Sequence, residues 1–444
     1  MLLRSEGFRK YLHNVSWLFV DRVVRLGAVL LTSIYVTRYL GPELFGQFNY
    51  ASAFVGIFFA LTSMGLDDIL TRDLVRHPER RDRLLGTAAA IKLGGAVVLF
   101  ITVMGLAFFK QMNGRALFMV AVIASAEFLK PFSVVEPYFH SLTKGRLVAQ
   151  VNMFQAIVSS LFRIAITILV PDPQKGLPLL ALSYIVEMTA LSGGYFVAYR
   201  RTGARWRDWR FDRAIARELM LQAWPLVVYG VALYVQAKID QVLIGDMLTK
   251  RIGAREADAE VGQYSAALKM IEALGFVPSI VQASLAPAIT RAKAQSQALY
   301  AERLVNQYRL MFILFLGVSI PLYLLAPWGM VLLFGEEYAM AGYLLSLFAI
   351  RLFFTNIGVA KTSFITNEGL FKYSLVTSVV GAALNIGLNI LLIPSFKSIG
   401  AIWAMIISFF VSIILMDLLF KDARPNFRWM MQGIGTFWKI HRVN

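Results

Sequence analysis

The sequence contains no cysteine, and it has only four histidines in 444 residues. Without cysteine, the chain can form neither a disulfide framework nor a thiolate metal site. The histidines are scattered along the chain and form no metal-binding pattern; they are His13, His77, His140 and His441. We therefore predict that this protein has no metal site.

Sequence motifs for nucleotide hydrolysis and group transfer are also absent. The chain has no Gly-Lys dipeptide, so it has no Walker A phosphate loop. It also lacks HExxH, GxSxG and Asp-x-Asp motifs, and it has no soluble domain large enough to hold such a site. We therefore predict that the protein is not an enzyme, and that it needs no cofactor and takes its energy from outside the chain.

Charged residues are scarce and hydrophobic residues are abundant. Charged residues make up 16% of the chain and hydrophobic residues 58%, whereas a soluble domain has about 25% charged residues. The mean hydropathy is +0.62. Because so much apolar surface cannot be buried in one globular core, the composition predicts an all-α polytopic membrane protein.

Apolar segments long enough to cross a bilayer occur about twelve times, since one span needs about 20 mostly apolar residues. The predicted spans are 17–40, 44–66, 84–109, 115–140, 147–170, 177–199, 221–247, 261–289, 308–334, 338–366, 372–394 and 398–420. Arginine and lysine are concentrated in every second loop. Because cytoplasmic loops carry this excess, both termini are predicted to be cytoplasmic.

A break and a weak internal repeat predict two lobes. Gly41-Pro42 interrupts the first apolar stretch, which indicates a corner between two helices. The segment 46–51 is similar to the segment 262–267, close to half of the chain away. We predict six-helix lobes at 1–199 and 221–420 around a central cavity, a basic cytoplasmic linker at 200–220 and a basic aromatic cytoplasmic tail at 421–444.

The net charge of +17 has more than one explanation. In a soluble protein it would suggest nucleic acid, but in a membrane protein we expect no nucleic-acid partner. Cytoplasmic loops and an anionic substrate both explain the excess. In the tail, basic and aromatic residues indicate either an interfacial amphipathic helix or a disordered retention segment.

Charged residues inside the predicted spans point to a binding site. A charge at the centre of a span costs about 2.5–3.5 kcal/mol on insertion scales, so several such charges indicate a shared water-filled cavity. The basic ones predict a cationic, anion-binding cavity and are Arg22, Arg25, Lys92, Lys130, Arg163, Lys238, Lys269 and Arg351. Two alternatives stay open. Arg22, Arg38 and Lys361 could extend from helix ends to the interface, and Asp21–Arg25 and Glu127–Lys130 could be structural ion pairs.

Two stretches resemble a known family. RYLGPELFGQFNYASAF, followed by GLDDILTRDLVRHPERR, is similar to the polysaccharide (O-antigen, Wzx-type) flippases of the multidrug, oligosaccharidyl-lipid and polysaccharide exporter superfamily. VQAKIDQVLIGDML and the following GQYSAA are similar to the same family. The resemblance covers the whole chain in length, span count and two-lobed layout. Arg22, Arg25, Lys238 and Asp240 match the family pattern best.

The resemblance implies a function as well as a fold. It implies twelve helices in two lobes and flipping of an undecaprenyl-pyrophosphate-linked oligosaccharide to the outer leaflet of the bacterial inner membrane. It also implies that the lipid-linked oligosaccharide, membrane lipids and other polysaccharide assembly proteins are partners. Coupling to H⁺ or Na⁺ is expected, and the candidate residues for binding the ion are Asp240, Glu272 and Glu127.

Other functions remain as alternatives. The cargo could be another lipid-linked precursor, of the peptidoglycan or teichuronic type. A drug/cation antiporter of the same superfamily would need a cavity rich in carboxylates and aromatics, which the basic excess disfavours. A membrane-embedded polymerase or ligase would need a large outer loop, and a scaffold would not need so many intramembrane charges.

Overall fold

Helices account for nearly all of the chain. The computed structural model describes the backbone of residues 6–439 and the side chains of residues 24, 25 and 27–439, and this part contains no β-strand. The chain divides into two compact units, Met1–Lys238 and Ile239–Asn444, and the division falls inside a helix. The predicted lobe, linker and tail boundaries stay predictions.

The first unit contains eight complete helices and most of a ninth. They are α1 (Glu6–Gly56), α2 (Ala60–Ser63), α3 (Leu66–Arg76), α4 (Arg81–Phe109), α5 (Gly114–Ala126), α6 (Val135–Ser141), α7 (Gly145–Leu169), α8 (Pro173–Arg201) and α9 (Arg213–Ile252), which continues into the second unit. Short 3₁₀ helices occupy Pro78–Arg80, Glu127–Val134 and Trp206–Asp208.

The second unit is also helical throughout its described part. Its helices are α10 (Ala254–Leu274), α11 (Phe276–Gln295), α12 (Gln297–Phe334), α13 (Ala339–Phe348), α14 (Arg351–Glu368), α15 (Phe371–Phe409), α16 (Met416–Leu419) and α17 (Arg424–Gly435). A π-helical segment, Phe410–Leu415, joins α15 to α16, and 3₁₀ helices occupy Glu336–Tyr338 and Lys421–Ala423.

Two backbone breaks divide long helices into separate spans. Gly41 in α1 has φ 65° and ψ 173°, and Lys397 in α15 has φ 51° and ψ −135°. Among the described residues, eight helices are long and apolar enough to cross a membrane, or up to ten if each of two bent pairs is one span. Division at Gly41 and Lys397 raises the number to about twelve. The predicted fold class, an all-α polytopic membrane protein, is confirmed.

The core of the first unit lies where α3, α4, α6 to α8 and the start of α9 meet. Leu66, Leu85, Phe139, Tyr195 and Leu219 are among its buried residues. Since these helices are apolar on the outside as well, burial of large side chains between them determines how they pack.

The middle of the basic segment 200–220 packs against the rest of the first unit. The Trp209 indole nitrogen donates to the Tyr199 hydroxyl at 3.0 Å, and the Arg210 amide donates to the Asp82 carbonyl oxygen at 3.2 Å. α9 then begins at Arg213, within the predicted linker.

In the second unit, α17 packs against α12 and α14. The Trp429 ring contacts the rings of Tyr300 and Phe364 edge to face, at centroid distances of 5.8 and 6.0 Å. Gly433 meets α12 so closely that a Cβ atom on it would lie 2.6 Å from Tyr308 Cβ. The first part of the predicted tail is therefore an ordered helix, and residues 440–444 lie outside the described range.

Candidate functional site: intramembrane charge clusters

An ion pair between Arg163 and Glu187 joins α7 to α8. Arg163 Nη2 lies 2.7 Å from Glu187 Oε2, and Arg163 Nε donates to Ser183 Oγ at 2.8 Å. The guanidinium carbon also lies 5.6 Å from the centroid of the Tyr184 ring, whose hydroxyl group contacts Ser52 Oγ at 2.6 Å. The side chains of the pair are 22% and 24% exposed. A polar medium or ligand can therefore reach the pair.

A second charged pair forms where α2 packs against the 3₁₀ segment after α5. Glu127 Oε2 accepts hydrogen bonds from Thr62 Oγ1 and, at 3.1 Å, from Lys130 Nζ. The Lys130 ammonium group also lies 5.3 Å from the centroid of the Phe59 ring, within range of a cation–π interaction. The Glu127–Lys130 ion pair expected from helical spacing is thereby confirmed.

Lys238 of α9 lies next to the second half of α1. A Cβ atom built on Gly56 would lie 3.6 Å from Lys238 Cγ, and the Tyr234 and Phe59 rings contact edge to face at 6.2 Å. Ser52, the partner of Tyr184, is one helical turn before Gly56. Four predicted residues therefore lie along the segment 52–62, and we call them the unit 1 charge cluster: Glu127, Lys130, Arg163 and Lys238.

Lys92 forms a further ion pair in the same unit. Its side chain is 1% exposed, and its Nζ lies 2.6 Å from Asp67 Oδ1 and 3.1 Å from Ser133 Oγ. Asp67 is 54% exposed, so the carboxylate connects a buried ammonium group to the surface. The sequence did not indicate Asp67 as the partner of Lys92, because the two residues are on different helices.

Arg25 lies on the part of α1 that runs alongside α7. Ser160 Oγ lies 3.5 Å from the Ala28 carbonyl oxygen, and the Tyr39 hydroxyl donates to the Val170 carbonyl oxygen at 2.6 Å. α1 and α7 therefore run in the same direction here. Arg25 lies level with the middle of α7, about two helical turns from the level of Arg163 and its ion pair with Glu187. Arg25 is half-buried.

The side chains of Asp21 and Arg22 lie outside the described residues. The predicted role of Arg22 and the predicted Asp21–Arg25 ion pair therefore stay predictions.

In the second unit, a buried carboxylate joins three helices. Asp240 of α9 is 3% exposed. Its Oδ2 accepts from the Tyr264 hydroxyl of α10 at 2.6 Å, and its Oδ1 accepts from Asn389 Nδ2 of α15 at 2.8 Å. Beside it, Gln241 Nε2 donates to Ser265 Oγ at 3.0 Å.

Two asparagine side chains near this carboxylate have amide oxygens that accept no hydrogen bond. The Asn389 Oδ1 atom is buried without a hydrogen bond, and so are both amide atoms of Asn385, one turn earlier on α15. Buried amide oxygens beside a carboxylate are ligands suited to a small hard cation. No group of three or more His, Cys, Asp or Glu that could hold a metal occurs among the described residues.

The remaining predicted residues of the second unit lie around Tyr264. Arg351 interacts electrostatically with both Asp240 and Tyr264, and Glu272 interacts with Tyr264. Lys269 is half-buried on α10, one turn beyond Ser265. Tyr264 was missed because it reads in the sequence as an apolar helix residue.

A buried ion pair outside the predicted site connects α14 to the last helices. Lys361 Nζ lies 2.6 Å from Asp417 Oδ1, and it donates to the Tyr373 hydroxyl and to the Ile413 carbonyl oxygen at 2.7 Å each. Asp417 also accepts from Tyr373 and, at 2.8 Å, from Asn426 Nδ2. The side chains of Lys361 and Asp417 are 5% and 0% exposed. The alternative that Lys361 extends from a helix end to the interface is therefore wrong.

Sequence comparison identifies the family. The profile of the family described as "Polysaccharide biosynthesis protein" matches residues 11–293. The chain belongs to this family. No curated protein matches it in sequence. Membership of the polysaccharide biosynthesis protein family confirms the resemblance found in the two sequence stretches.

Solved structures with the same fold are membrane transporters. An inward-facing multidrug resistance MATE family transporter of the MOP superfamily has a TM-score of 0.67 at 15% identity, and the match covers 95% of this chain and 100% of that one. The lipid II flippase MurJ, inward closed, has a TM-score of 0.66 at 10% identity, with 96% and 92% covered. A MOP superfamily transporter from Pyrococcus furiosus, whose binding pocket has reverse polarity, has a TM-score of 0.59 at 15% identity, with 96% of each chain covered. This member of the polysaccharide biosynthesis protein family is thus a multi-pass membrane protein with the MOP-superfamily fold.

Proposed function

We propose that this protein flips an undecaprenyl-pyrophosphate-linked oligosaccharide from the cytoplasmic to the outer leaflet of the bacterial inner membrane. The family match supports a role in polysaccharide biosynthesis, and the fold supports transport. The protein acts as a transporter that alternates between inward and outward access, and it performs no covalent chemistry on the oligosaccharide.

The observation that carries this proposal is the partial exposure of Arg163, of its partner Glu187 and of Lys130. Arg163 and Glu187 stay 22% and 24% exposed, and Lys130 stays 22% exposed, on helices that cross the membrane. Charges in contact with lipid cost several kcal/mol, roughly 2.5–3.5 each on insertion scales, so these side chains need water or a polar ligand. Arginine and lysine offer the donors that a phosphate needs, and the carboxylates can bind sugar hydroxyls.

The ion pairs of Arg163 and Lys130 also neutralise most of the charge on these side chains. Because Arg163 and Lys130 are paired with carboxylates, the unoccupied surface is close to neutral and stable without substrate. A pyrophosphate can replace the carboxylates as the partner of the cations, and the carboxylates then become free to bind sugar hydroxyls. Binding thereby exchanges one set of charge-assisted hydrogen bonds for another.

The membrane potential can contribute to the driving force. Moving one charge through 100 mV is worth about 2.3 kcal/mol, so a headgroup with roughly two negative charges gains about 4–5 kcal/mol on leaving an inside-negative cell. Coupling to H⁺ or Na⁺ adds to this. The buried Asp240 with the unused oxygens of Asn385 and Asn389 is our first candidate for binding the ion, and Glu272 and Glu127 are the others.

Complementation of cells that lack the protein tests the proposal. We expect these cells to lose surface polysaccharide and to accumulate an undecaprenyl-pyrophosphate-linked oligosaccharide that extracellular reagents cannot reach. Arg163→Gln and the double variant Arg25→Gln/Lys238→Gln should lower surface polysaccharide at least tenfold while the amount of membrane-inserted protein stays the same. Lys175→Gln is the matched control, because that side chain is 79% exposed at the start of α8.

Two results would contradict the proposal. Normal surface polysaccharide in both Arg163→Gln and the Arg25/Lys238 double variant would remove the role of the unit 1 charge cluster and of Arg25. Accumulation of a lipid-linked peptidoglycan precursor would instead favour our second candidate function, suggested by the shared fold with the lipid II flippase MurJ.

A further inference from the structure

A groove runs along the outside of the first unit between α7 and α8. It has a volume of about 740 Å³. The two helices are antiparallel, because Asn152 contacts Tyr195 while Ser159 contacts Glu187. The walls are mostly apolar and include Phe154 and Val197, which are 54% and 48% exposed.

The groove lies on the other side of the α7–α8 contact from the charged residues. Asn152, Ser159 and Arg163 follow one another at helical spacing and face α8 through polar contacts. Phe154 and Val158 lie about 160° and 120° around the helix axis from that line and form the groove wall. The groove is therefore separate from the unit 1 charge cluster.

Adjacent glycines of α8 determine the shape of the groove. A Cβ atom on Gly194 would lie 2.8 Å from Val151 Cγ1, so the helices approach each other closely there. A Cβ atom on Gly193 would meet nothing within 4 Å, so the surface next to this contact is open. Gly193 thereby leaves room for a chain to lie along the helix pair.

One end of the groove is basic. Arg201, in the last turn of α8, lines it and is exposed. On α7 the groove extends from Leu147 to Val158, which is about 17 Å at 1.5 Å per residue. Half of a hydrocarbon core is about 15 Å thick. The groove therefore runs from an arginine at the membrane surface through about one leaflet.

We propose that this groove binds the polyprenyl tail of a polyprenyl phosphate lipid, with the phosphate at Arg201. This inference rests on the proposed function, which supplies a lipid with one tail and a phosphorylated headgroup. One apolar groove with one cationic end matches that lipid in shape and in charge, whereas a diacyl phospholipid brings two tails. The groove then holds the substrate in the leaflet of the basic end before its headgroup reaches the charge cluster.

Photocrosslinking tests the groove without measuring transport. The full-length protein is placed in phosphatidylcholine nanodiscs with a diazirine-bearing undecaprenyl phosphate, and the modified peptides are mapped. We expect crosslinks within 147–158 and 185–201. A tenfold excess of unlabelled undecaprenyl phosphate should remove them, and the same excess of phosphatidylglycerol should not.

Substitutions that fill the groove have a matched control. Gly193→Leu places a side chain in the open space and should lower crosslinking at least tenfold. Gly105→Leu, also at an exposed helical glycine with nothing within 4 Å of its Cβ, should leave it unchanged. Thr189→Phe provides a second obstruction if Gly193→Leu does not insert. Arg201→Gln should weaken crosslinking about fivefold, whereas the neighbouring Arg200→Gln should not.

The outcomes separate this proposal from the proposed function. Crosslinks elsewhere, equal competition by phosphatidylglycerol, or full crosslinking in both obstructed variants would each overturn the groove assignment. If the crosslinks map to the groove as expected but cells lacking the protein make normal surface polysaccharide, the groove assignment holds and the flippase proposal fails. If wild-type protein restores polysaccharide and Gly193→Leu restores it equally, the groove assignment fails and the flippase proposal holds.

Discussion

Removing one partner of the Lys361–Asp417 ion pair should destabilise the second unit strongly. The side chains are 5% and 0% exposed, and Asp417 accepts hydrogen bonds from Lys361, Tyr373 and Asn426. Loss of either charge leaves the other buried and uncompensated. Such a change costs about 3–5 kcal/mol, or a decrease in Tm of about 6–20 °C for a unit of this size.

The double variant shows whether Lys361 and Asp417 contribute to the free energy of unfolding as a pair or independently. Lys361→Met and Asp417→Asn should each lower the free energy of unfolding by about 3–5 kcal/mol. In Lys361→Met/Asp417→Asn no charge is left unpaired. The new amide accepts from Asn426 Nδ2 through its oxygen and can donate to the Tyr373 hydroxyl oxygen through its nitrogen. The double variant should therefore lose much less than the sum of the single variants, with a coupling of about 3 kcal/mol.

Unfolding of the purified protein in detergent micelles, followed by tryptophan fluorescence, measures these differences. Lys175→Met is the control, because the Lys175–Asp172 pair is 4.0 Å apart and its side chains are 79% and 48% exposed. That change should cost less than about 1 kcal/mol. Losses that simply add in the double variant, or single-variant losses as small as the control, would refute the reasoning.

Two further predictions concern the backbone. Gly95→Ala should lower the free energy of unfolding by about 1–3 kcal/mol, because its Cβ would lie 2.0 Å from the Leu61 carbonyl oxygen. Gly94→Ala is the control: its Cβ would have no atom within 4 Å, so this variant should leave Tm unchanged or raise it. Lys397→Gly should raise the free energy of unfolding by about 1 kcal/mol, because glycine adopts φ 51°, ψ −135° without strain and the 3.7 Å ion pair with Glu260 contributes little. Lys397→Ala should give no such gain, and an equal gain would show that the backbone there is not strained.

The spans of this fold could be predicted from the sequence because they depend on local properties. Length and hydropathy indicate each span, and Gly41-Pro42 indicates a break, which the structure places at Gly41. The break at Lys397 could not be predicted in this way, since lysine has no preference for the conformation it adopts there. Glu127–Lys130 was predictable because its residues are three apart on one segment.

The partners of the other intramembrane charges could not be predicted, because they come from different helices. Lys92 and its partner Asp67 are 25 residues apart, and Asp240 and Asn389 are 149 apart. A single sequence indicates which residues are too polar for lipid, but the packing of helices decides which of them meet. The same limit explains why the sequence left open the alternative that Lys361 extends to the interface.

The π-helical segment Phe410–Leu415 determines where Asp417 points. One π-turn contains an extra residue compared with an α-turn, so the residues after it are rotated by about 100° around the axis. The Ile413 carbonyl oxygen, within this segment, accepts from Lys361. Deleting one residue from the segment would restore a regular helix and turn the Asp417 carboxylate away from its ammonium partner. The one extra residue of the π-turn thus rotates Asp417 into the interior, so that an otherwise apolar helix buries one acidic side chain next to its partner.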